Sequence, residues 1–398
     1  MPVLPRLVAL ACALPLALAG CSSSSSTEPS PSLERIVTDP KSTVAASPSP
    51  VPTSVGGPAI AAVTEQHEIV GDLDAPWDME FMTDGSLLVT ERDTATIRRV
   101  RAGFATVLNG PGAEALRSTV MNAGEGGLLG IAVLEGDVTY LYAYITREDD
   151  NAVLRMELHD DLLSLPTPVI EGIPSAKNHD GGRMRFGPDG FLYISVGDAG
   201  KPELAPNTDS LAGKILRVIA DGSEADGKAA PDNPWKNRVW SRGHRNVEGF
   251  GWVADGRMYA SELGQDSADE LNLIKAGANY GWPAHEGFSG APSGTAPGTM
   301  LGGYTFPVAT WDPDEASPSG IGITHEAIYM ASLKGERLWR IPLTTDGIGE
   351  PHVILDGMGR LRDAAAAPDG SVYVLTNNTD GRGTPTEGDD RLLGLTIG

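Results

Sequence analysis

A glycine-ended turn that runs at once into a short apolar stretch returns several times along this chain. Thr83-Asp84-Gly85-Ser86 leads into Leu87-Leu88-Val89-Thr90, and Gly187-Pro188-Asp189-Gly190 into Phe191-Leu192-Tyr193-Ile194. Ala254-Asp255-Gly256 leads into Arg257-Met258-Tyr259-Ala260, and Ala367-Pro368-Asp369-Gly370 into Ser371-Val372-Tyr373-Val374. Aspartate and glycine are the residues a tight hairpin turn needs, one to accept nearby backbone N–H groups and one to take positive φ. Two apolar centres lack the turn, Val138-Thr139-Tyr140-Leu141-Tyr142-Ala143-Tyr144-Ile145 and Ala327-Ile328-Tyr329-Met330, which makes six in all. A hairpin unit repeated in this way, with 49 glycines, 30 prolines and hardly any long helical periodicity, predicts an all-β chain: a six-bladed β-propeller of four-stranded antiparallel blades. Six blades over about 330 residues give roughly 55 residues each, long for a blade repeat. The turns are unevenly spaced, so long loops intervene, and those loops are the expected place for a site. Asp-Gly turns serve any hairpin, and a β-sandwich pair is the alternative.

The first residues lie outside this pattern. A basic start at Arg6, an apolar run from Leu7 to Leu18 and Leu18-Ala19-Gly20-Cys21 have the form of a secretory signal that ends in a lipoprotein cleavage site. Residues 1–20 are therefore read as signal peptide and Cys21 as the lipid-carrying N-terminus, against an ordinary signal with a chance cysteine. Residues 21–62 are Ser/Pro/Gly-rich and form a tether unable to bury a core, and residues 63–398 form the folded domain. The expected location is extracytoplasmic, held by lipid to the outer face of the cytoplasmic membrane. Cys12 and Cys21 are the only cysteines, so no disulfide is expected in the mature chain. A charge of −23, from 30 basic and 53 acidic residues, argues against a nucleic-acid partner and is compatible with calcium.

Four clusters carry possible chemistry. His179 lies in the polar turn Asn178-His179-Asp180-Gly181-Gly182, just ahead of an expected strand, where a histidine suits general-base work or is simply a surface residue. Arg245 and Asn246 follow Gly243-His244, and an arginine here holds a carboxylate, steadies an oxyanion or pairs with a surface acid. Gly264-Gln265-Asp266-Ser267-Ala268-Asp269-Glu270 packs three carboxylates into a glycine-led loop, with Tyr280 ten residues on. Calcium favours such loops, although the spacing is not that of an EF-hand and a solvated acidic loop is the alternative. Lys334, Arg360 and Arg362 stand out in a chain poor in positive charge. At strand period the two arginines share a face, and the three either grip a polyanion or decorate the surface.

Together the clusters resemble the soluble sugar dehydrogenases that depend on pyrroloquinoline quinone (PQQ), the glucose/sorbosone and aldose dehydrogenase family of six-bladed propellers. The match runs through Ala75-Pro76-Trp77-Asp78-Met79, Val89-Thr90-Glu91-Arg92, Gly124-Glu125-Gly126-Gly127-Leu128-Leu129-Gly130, His179, Arg245, Asp269-Glu270-Leu271-Asn272, Asn279-Tyr280-Gly281-Trp282-Pro283 and Arg360-Leu361-Arg362-Asp363, and spans residues 70–395. The resemblance implies that His179 is the catalytic base, that Arg245 and Asn246 contact the quinone, and that Lys334, Arg360 and Arg362 bind its carboxylates. It implies that the Gly264 and Gln265 carbonyls hold calcium at the quinone and that Glu270 and Tyr280 bind a second, structural calcium. Glu125 stands where the glucose enzymes have a glutamine that contacts PQQ, and Asn178 stands where they have an aspartate. An anionic Glu125 beside a tricarboxylate is repulsive unless protonated or turned toward calcium.

The implied activity is oxidation of an aldose at the anomeric carbon to its lactone, by a monomer that passes electrons to an acceptor the sequence does not name. A calcium-dependent lactonase-type hydrolase and a non-catalytic sugar- or protein-binding propeller are the competing readings. Specificity is expected in the loops 284–305 and 311–322, where Trp311 is either a sugar platform or blade packing.

Overall fold

The computed structural model describes residues 61–398. Cys21, the signal segment and the tether up to residue 60 lie outside them. Six antiparallel four-stranded blades follow one another. The first is Pro76–Phe81, Leu87–Glu91, Thr96–Arg101 and Phe104–Val107; the second is Leu128–Leu134, Tyr140–Thr146, Asn151–His159 and Thr167–Ile173. The third is Met184–Phe186, Leu192–Val196, Lys214–Val218 and Val239–Arg242; the fourth is Val247–Trp252, Met258–Glu262, Asp269–Ile274 and Ala309–Trp311. The fifth is Pro318–Ile323, Ala327–Ser332, Arg337–Thr344 and His352–Asp356. The sixth takes Leu361–Ala366, Val372–Thr376 and Leu392–Ile397 from the end of the chain and Val63–Val70 from its beginning, so that pairing of Val63 with Ile397 closes the ring. The architecture is the six-bladed propeller that the turns predict.

Each of the six apolar centres is the second strand of a blade. Leu87–Glu91, Leu192–Val196, Met258–Glu262 and Ala327–Ser332 are buried at every position, as a strand covered on both faces by neighbouring blades must be. The Asp-Gly turns join the first strand to the second in four blades. In all four the aspartate Oδ1 accepts the N–H two residues on, from Ser86, Phe191, Arg257 and Ser371. The glycines take φ of 80°, 80°, 89° and 89°, which side chains rarely adopt. The only α-helix among the described residues, Pro111–Thr119, lies between the first and second blades.

The innermost strands converge on a buried ionic cluster. Asp78 of the first blade pairs with Arg183, just ahead of the third blade, and at 2.8 Å with Arg185. Arg183 also pairs with Asp363 of the sixth blade at 3.1 Å, donates to the Glu248 carbonyl of the fourth at 2.9 Å, and lies 4.3 Å over the Trp77 ring. Asp78 Oδ2 accepts the Ile131 N–H of the second blade at 2.8 Å. Burial pushes both carboxyls up. At Asp78 the two arginines more than reverse it, whereas Asp363 stays raised because it also faces the charge of Asp78. Replacing Arg183 with leucine leaves two acids facing each other out of water, and removal of one partner from a buried pair typically costs about 3–5 kcal/mol. Denaturant unfolding of Arg183→Leu is expected to show a loss of that size; a loss under about 1 kcal/mol would mean that the cluster does not hold the ring.

Candidate active site

The starts of the innermost strands open into a cavity of ≈ 210 Å³. Trp77, Glu248 and Arg362 line it from within those strands, and Asp180, Gly181, Ser317 and Arg360 from just ahead of them. Arg92, Lys334 and Arg382 complete a set of five cations facing the carboxylates Glu125, Asp180 and Glu248. In a chain of charge −23, five cations around one cavity stand out, and each is paired with a carboxylate, Arg92 with Asp93 at 2.5 Å among them. Arg360 pairs with Asp380 at 3.1 Å and Arg362 with Glu248 at 3.1 Å. The buried Nε of each arginine has no hydrogen-bond partner among the described residues, an unmet demand that calls for explanation. Burial lowers Arg362 to about 10, so that it keeps its charge at neutral pH. Lys334 is exposed at the rim, paired with Asp314.

His179 stands beside this cavity at φ 63° and is 8% exposed. Its N–H donates to Glu125 Oε2 at 2.7 Å, and its ring Nδ1 meets Asp198 Oδ1 at 2.7 Å. Asp198 in turn accepts from Trp282 Nε1 at 2.8 Å and from the Gly200 N–H at 2.8 Å. Burial works to raise the Asp198 carboxyl, but the bond to His179 and its charge, then Trp282 and Gly200, hold it below the usual range. An ionised Asp198 keeps the proton on Nδ1 and leaves Nε2 as the basic atom, the arrangement of a general base and its orienting acid. Arg245 lies 5.7 Å from the Trp282 ring centre and donates to Gln265 Oε1 at 2.9 Å and to the Leu263 carbonyl at 3.2 Å.

Both carboxylate oxygens of Glu125 are engaged: Oε2 takes the His179 N–H at 2.7 Å and Oε1 faces Arg382 at 3.4 Å, so an arginine offsets its charge. Asn246 does not line the cavity. It is fully buried, accepting from the Gly181 N–H at 3.1 Å and donating to Glu248 Oε1 at 2.8 Å, so it braces the wall from behind. Trp311 is 7% exposed, lies 5.8 Å from Trp339 and belongs to the apolar core; it packs the blade and is no sugar platform.

Three of the four metal candidates, Gly264, Glu270 and Tyr280, line a second, much smaller cavity of ≈ 10 Å³ together with Arg245, Glu262 and Glu286. That is room for about one water or ion. The Tyr280 hydroxyl is engaged by the main chain, donating to the Leu273 carbonyl and accepting the Lys275 N–H, both at 2.8 Å, so what Tyr280 can offer a cation is its carbonyl. Glu270 accepts from Gly287 N–H at 2.6 Å and Asn272 Nδ2 at 2.8 Å. Burial, then the charge of Glu262, pushes its carboxyl up. Among the described residues no three His, Cys, Asp or Glu side chains converge as a metal site. A cation here depends on main-chain carbonyls beside the glutamates.

The structure thus brings Glu125, Arg360, Arg362 and Lys334 to one cavity, with His179 next to its lining residue Asp180, and Arg245, Gly264, Glu270 and Tyr280 to its small neighbour; Gln265 lines neither. Sequence reasoning missed Asp198, Arg92 and Arg382. Asp198 had a signal, since it follows the strand Leu192–Val196 of the blade that carries His179. Arg382 had none, since its place depends on how the loop before Leu392–Ile397 folds back.

Fold and site together define a propeller with an arginine- and lysine-lined mouth and a histidine–aspartate pair beside it. The glucose/sorbosone dehydrogenase family model matches residues 73–385, and the chain belongs to that family of oxidoreductases. It is 30% identical to the aldose sugar dehydrogenase YliI of Escherichia coli (strain K12) over 358 residues, covering 81% of this chain and 92% of that one. It is 31% identical to quinoprotein glucose dehydrogenase B of Acinetobacter calcoaceticus over 265 residues, 56% of this chain and 53% of the other. The structure of the PQQ-bound aldose sugar dehydrogenase from Streptomyces coelicolor superimposes with a TM-score of 0.77 at 43% identity, covering 86% of this chain and all of that one.

The raised carboxyl of Glu270 has a thermodynamic sign. A folded state that holds this proton more tightly than the unfolded chain loses stability as pH rises above the ordinary glutamate value of 4.5. In chelator, wild-type protein is expected to lose stability from pH 5 upward by more than Glu270→Gln does, in paired thermal unfolding curves; parallel curves would show that Glu270 is ionised without cost.

Proposed function

We propose that this chain is a PQQ- and calcium-dependent aldose dehydrogenase that oxidises the anomeric C–OH of a sugar to its lactone. The observation that carries the proposal is the set of five cations in an acidic chain, with the partnerless Nε atoms of Arg360 and Arg362, beside the His179–Asp198 pair. These residues fit a flat tricarboxylate: Arg360, Arg362 and Lys334 would hold its carboxylates, with Arg92 and Arg382 adding positive charge, and the Trp77 ring offers an aromatic wall. The Gly264 and Gln265 carbonyls are the ligands offered to calcium. When bound, PQQ supplies a two-electron hydride acceptor and calcium the Lewis acid that polarises it.

The chain's own part is acid–base and electrostatic. His179 Nε2 takes the proton of the anomeric hydroxyl as the hydride leaves the same carbon, which yields the lactone and an imidazolium. Asp198 keeps the ring in the tautomer that has Nε2 free, and its charge stabilises that imidazolium. Arg245, held by Gln265 and the Leu263 carbonyl, would supply positive charge to offset oxyanion character in the reaction. Glu125 fixes the His179 backbone and is itself answered by Arg382.

Metal-free protein lacking residues 1–62 is to be supplied with PQQ and calcium, and aldose-dependent dye reduction followed. Reduction is expected to need both additions. In His179→Ala the turnover number is expected to fall about 10²–10⁴-fold, the usual contribution of a general base, with PQQ binding retained. Dye reduction by neither protein with any aldose, or equal rates for both, would overturn the proposal.

A further inference from the structure

Glu286 lies in the loop between the third and fourth strands of the fourth blade, outside every cluster that the sequence singles out. Its Oε1 accepts four consecutive backbone N–H groups, those of Gln265, Asp266, Ser267 and Ala268, at 2.7, 2.9, 2.9 and 3.1 Å. Residues 265–268 therefore wrap one carboxylate oxygen as an anion nest. Burial acts to raise the carboxyl of Glu286, and the N–H bonds, those of Ser267 and Ala268 foremost, bring it below the usual range instead. The wrap is tight enough to require glycine at its start: a Cβ on Gly264 would lie 2.0 Å from the Ala268 carbonyl oxygen and 2.7 Å from Glu286 Oε1.

A peptide unit is planar and trans, so its N–H and C=O point in opposite directions. The N–H of Gln265 shares its plane with the carbonyl of Gly264, and the N–H of Asp266 shares its plane with the carbonyl of Gln265. Holding those two N–H groups inward on Glu286 turns those two carbonyls outward, and these are the carbonyls offered to calcium. An anion on the N–H side also polarises each peptide and strengthens its oxygen as a ligand. The same loop carries the Gln265 side chain that steadies Arg245.

We infer that Glu286 is the positioning residue that orients the Gly264 and Gln265 carbonyls toward the cofactor's cation; the inference rests on the calcium- and PQQ-dependent reading above. Glu286 also ties the loop 284–305, which is expected to face the sugar, to the loop that presents the cation.

The test uses protein lacking residues 1–62, wild type, Glu286→Gln and Glu286→Ala. Hydrogen exchange of the metal-free proteins reads the amides of residues 265–268 directly, and a calcium titration in the presence of PQQ reads the concentration needed for half-maximal cofactor uptake. Amide protection at 265–268 is expected to fall at least tenfold in Glu286→Ala and partway in Glu286→Gln, with the blade strands still protected. Half-maximal calcium is expected to rise at least tenfold in Glu286→Ala. Unchanged protection, or lost protection with an unchanged calcium requirement, in a background where wild type loads normally, overturns this inference alone. A wild-type protein that takes up neither calcium nor PQQ overturns the cofactor reading and this inference with it.

Discussion

Arg183 sits where the blades of this ring meet, and the arrangement of everything near the axis depends on how its charge is answered. It is 1% exposed, paired with Asp78 and Asp363 from blades at the two ends of the folded sequence, and bonded to the main chain of a third. In a propeller, whose blades pack on their neighbours, such contacts tie one side of the ring to the other, and the Arg362–Glu248 pair between the sixth and fourth blades adds to them. The cluster also divides the axis. On one side lies the cationic cavity; on the other, Phe186, Phe250, Trp252, Ile321 and Ile323 line a second mouth together with Glu80 and Arg185, built from the far ends of the same strands.

On the side of the cationic cavity the charges are arranged in opposing pairs. Glu248 answers Arg362, Asp380 answers Arg360, and Arg382 answers Glu125. Each partner satisfies part of a guanidinium, and the Nε of Arg360 and of Arg362 is left without a partner among the described residues. His179 is held at both its backbone and its ring, by Glu125 and Asp198, so it enters a reaction already oriented. The backbone at His179 pays for this with positive φ, which the surrounding bonds maintain.

Much of the fold was legible because the turns carry their own chemistry. Asp84, Asp189, Asp255 and Asp369 announce hairpins locally, and each next strand is apolar on both faces. The outer strands were not legible: Phe104–Val107 and Val63–Val70 are half or wholly exposed and have no pattern that sets them apart from loop. In the site, residues on or beside strands, such as His179, Arg360 and Arg362, could be named from their motifs. The roles of Asn246, Trp311 and Tyr280 could not, because each turns on which neighbour uses its polar group or ring. Arg382 and Glu286 owe their importance to contacts across 257 and about 20 residues of sequence, and no local pattern reports such distances.

The claim on which the rest turns is that the five cations exist to hold a carboxylate-bearing cofactor. The direct measurement is a calorimetric titration of metal-free protein, in calcium buffer, with PQQ and with its trimethyl ester, which keeps the ring system and removes the three negative charges. The free acid is expected to bind at least about 100-fold more tightly, with an affinity that falls as salt rises, since the discriminating interactions are charge-assisted. Equal affinities for acid and ester, or no binding of either, would contradict the claim.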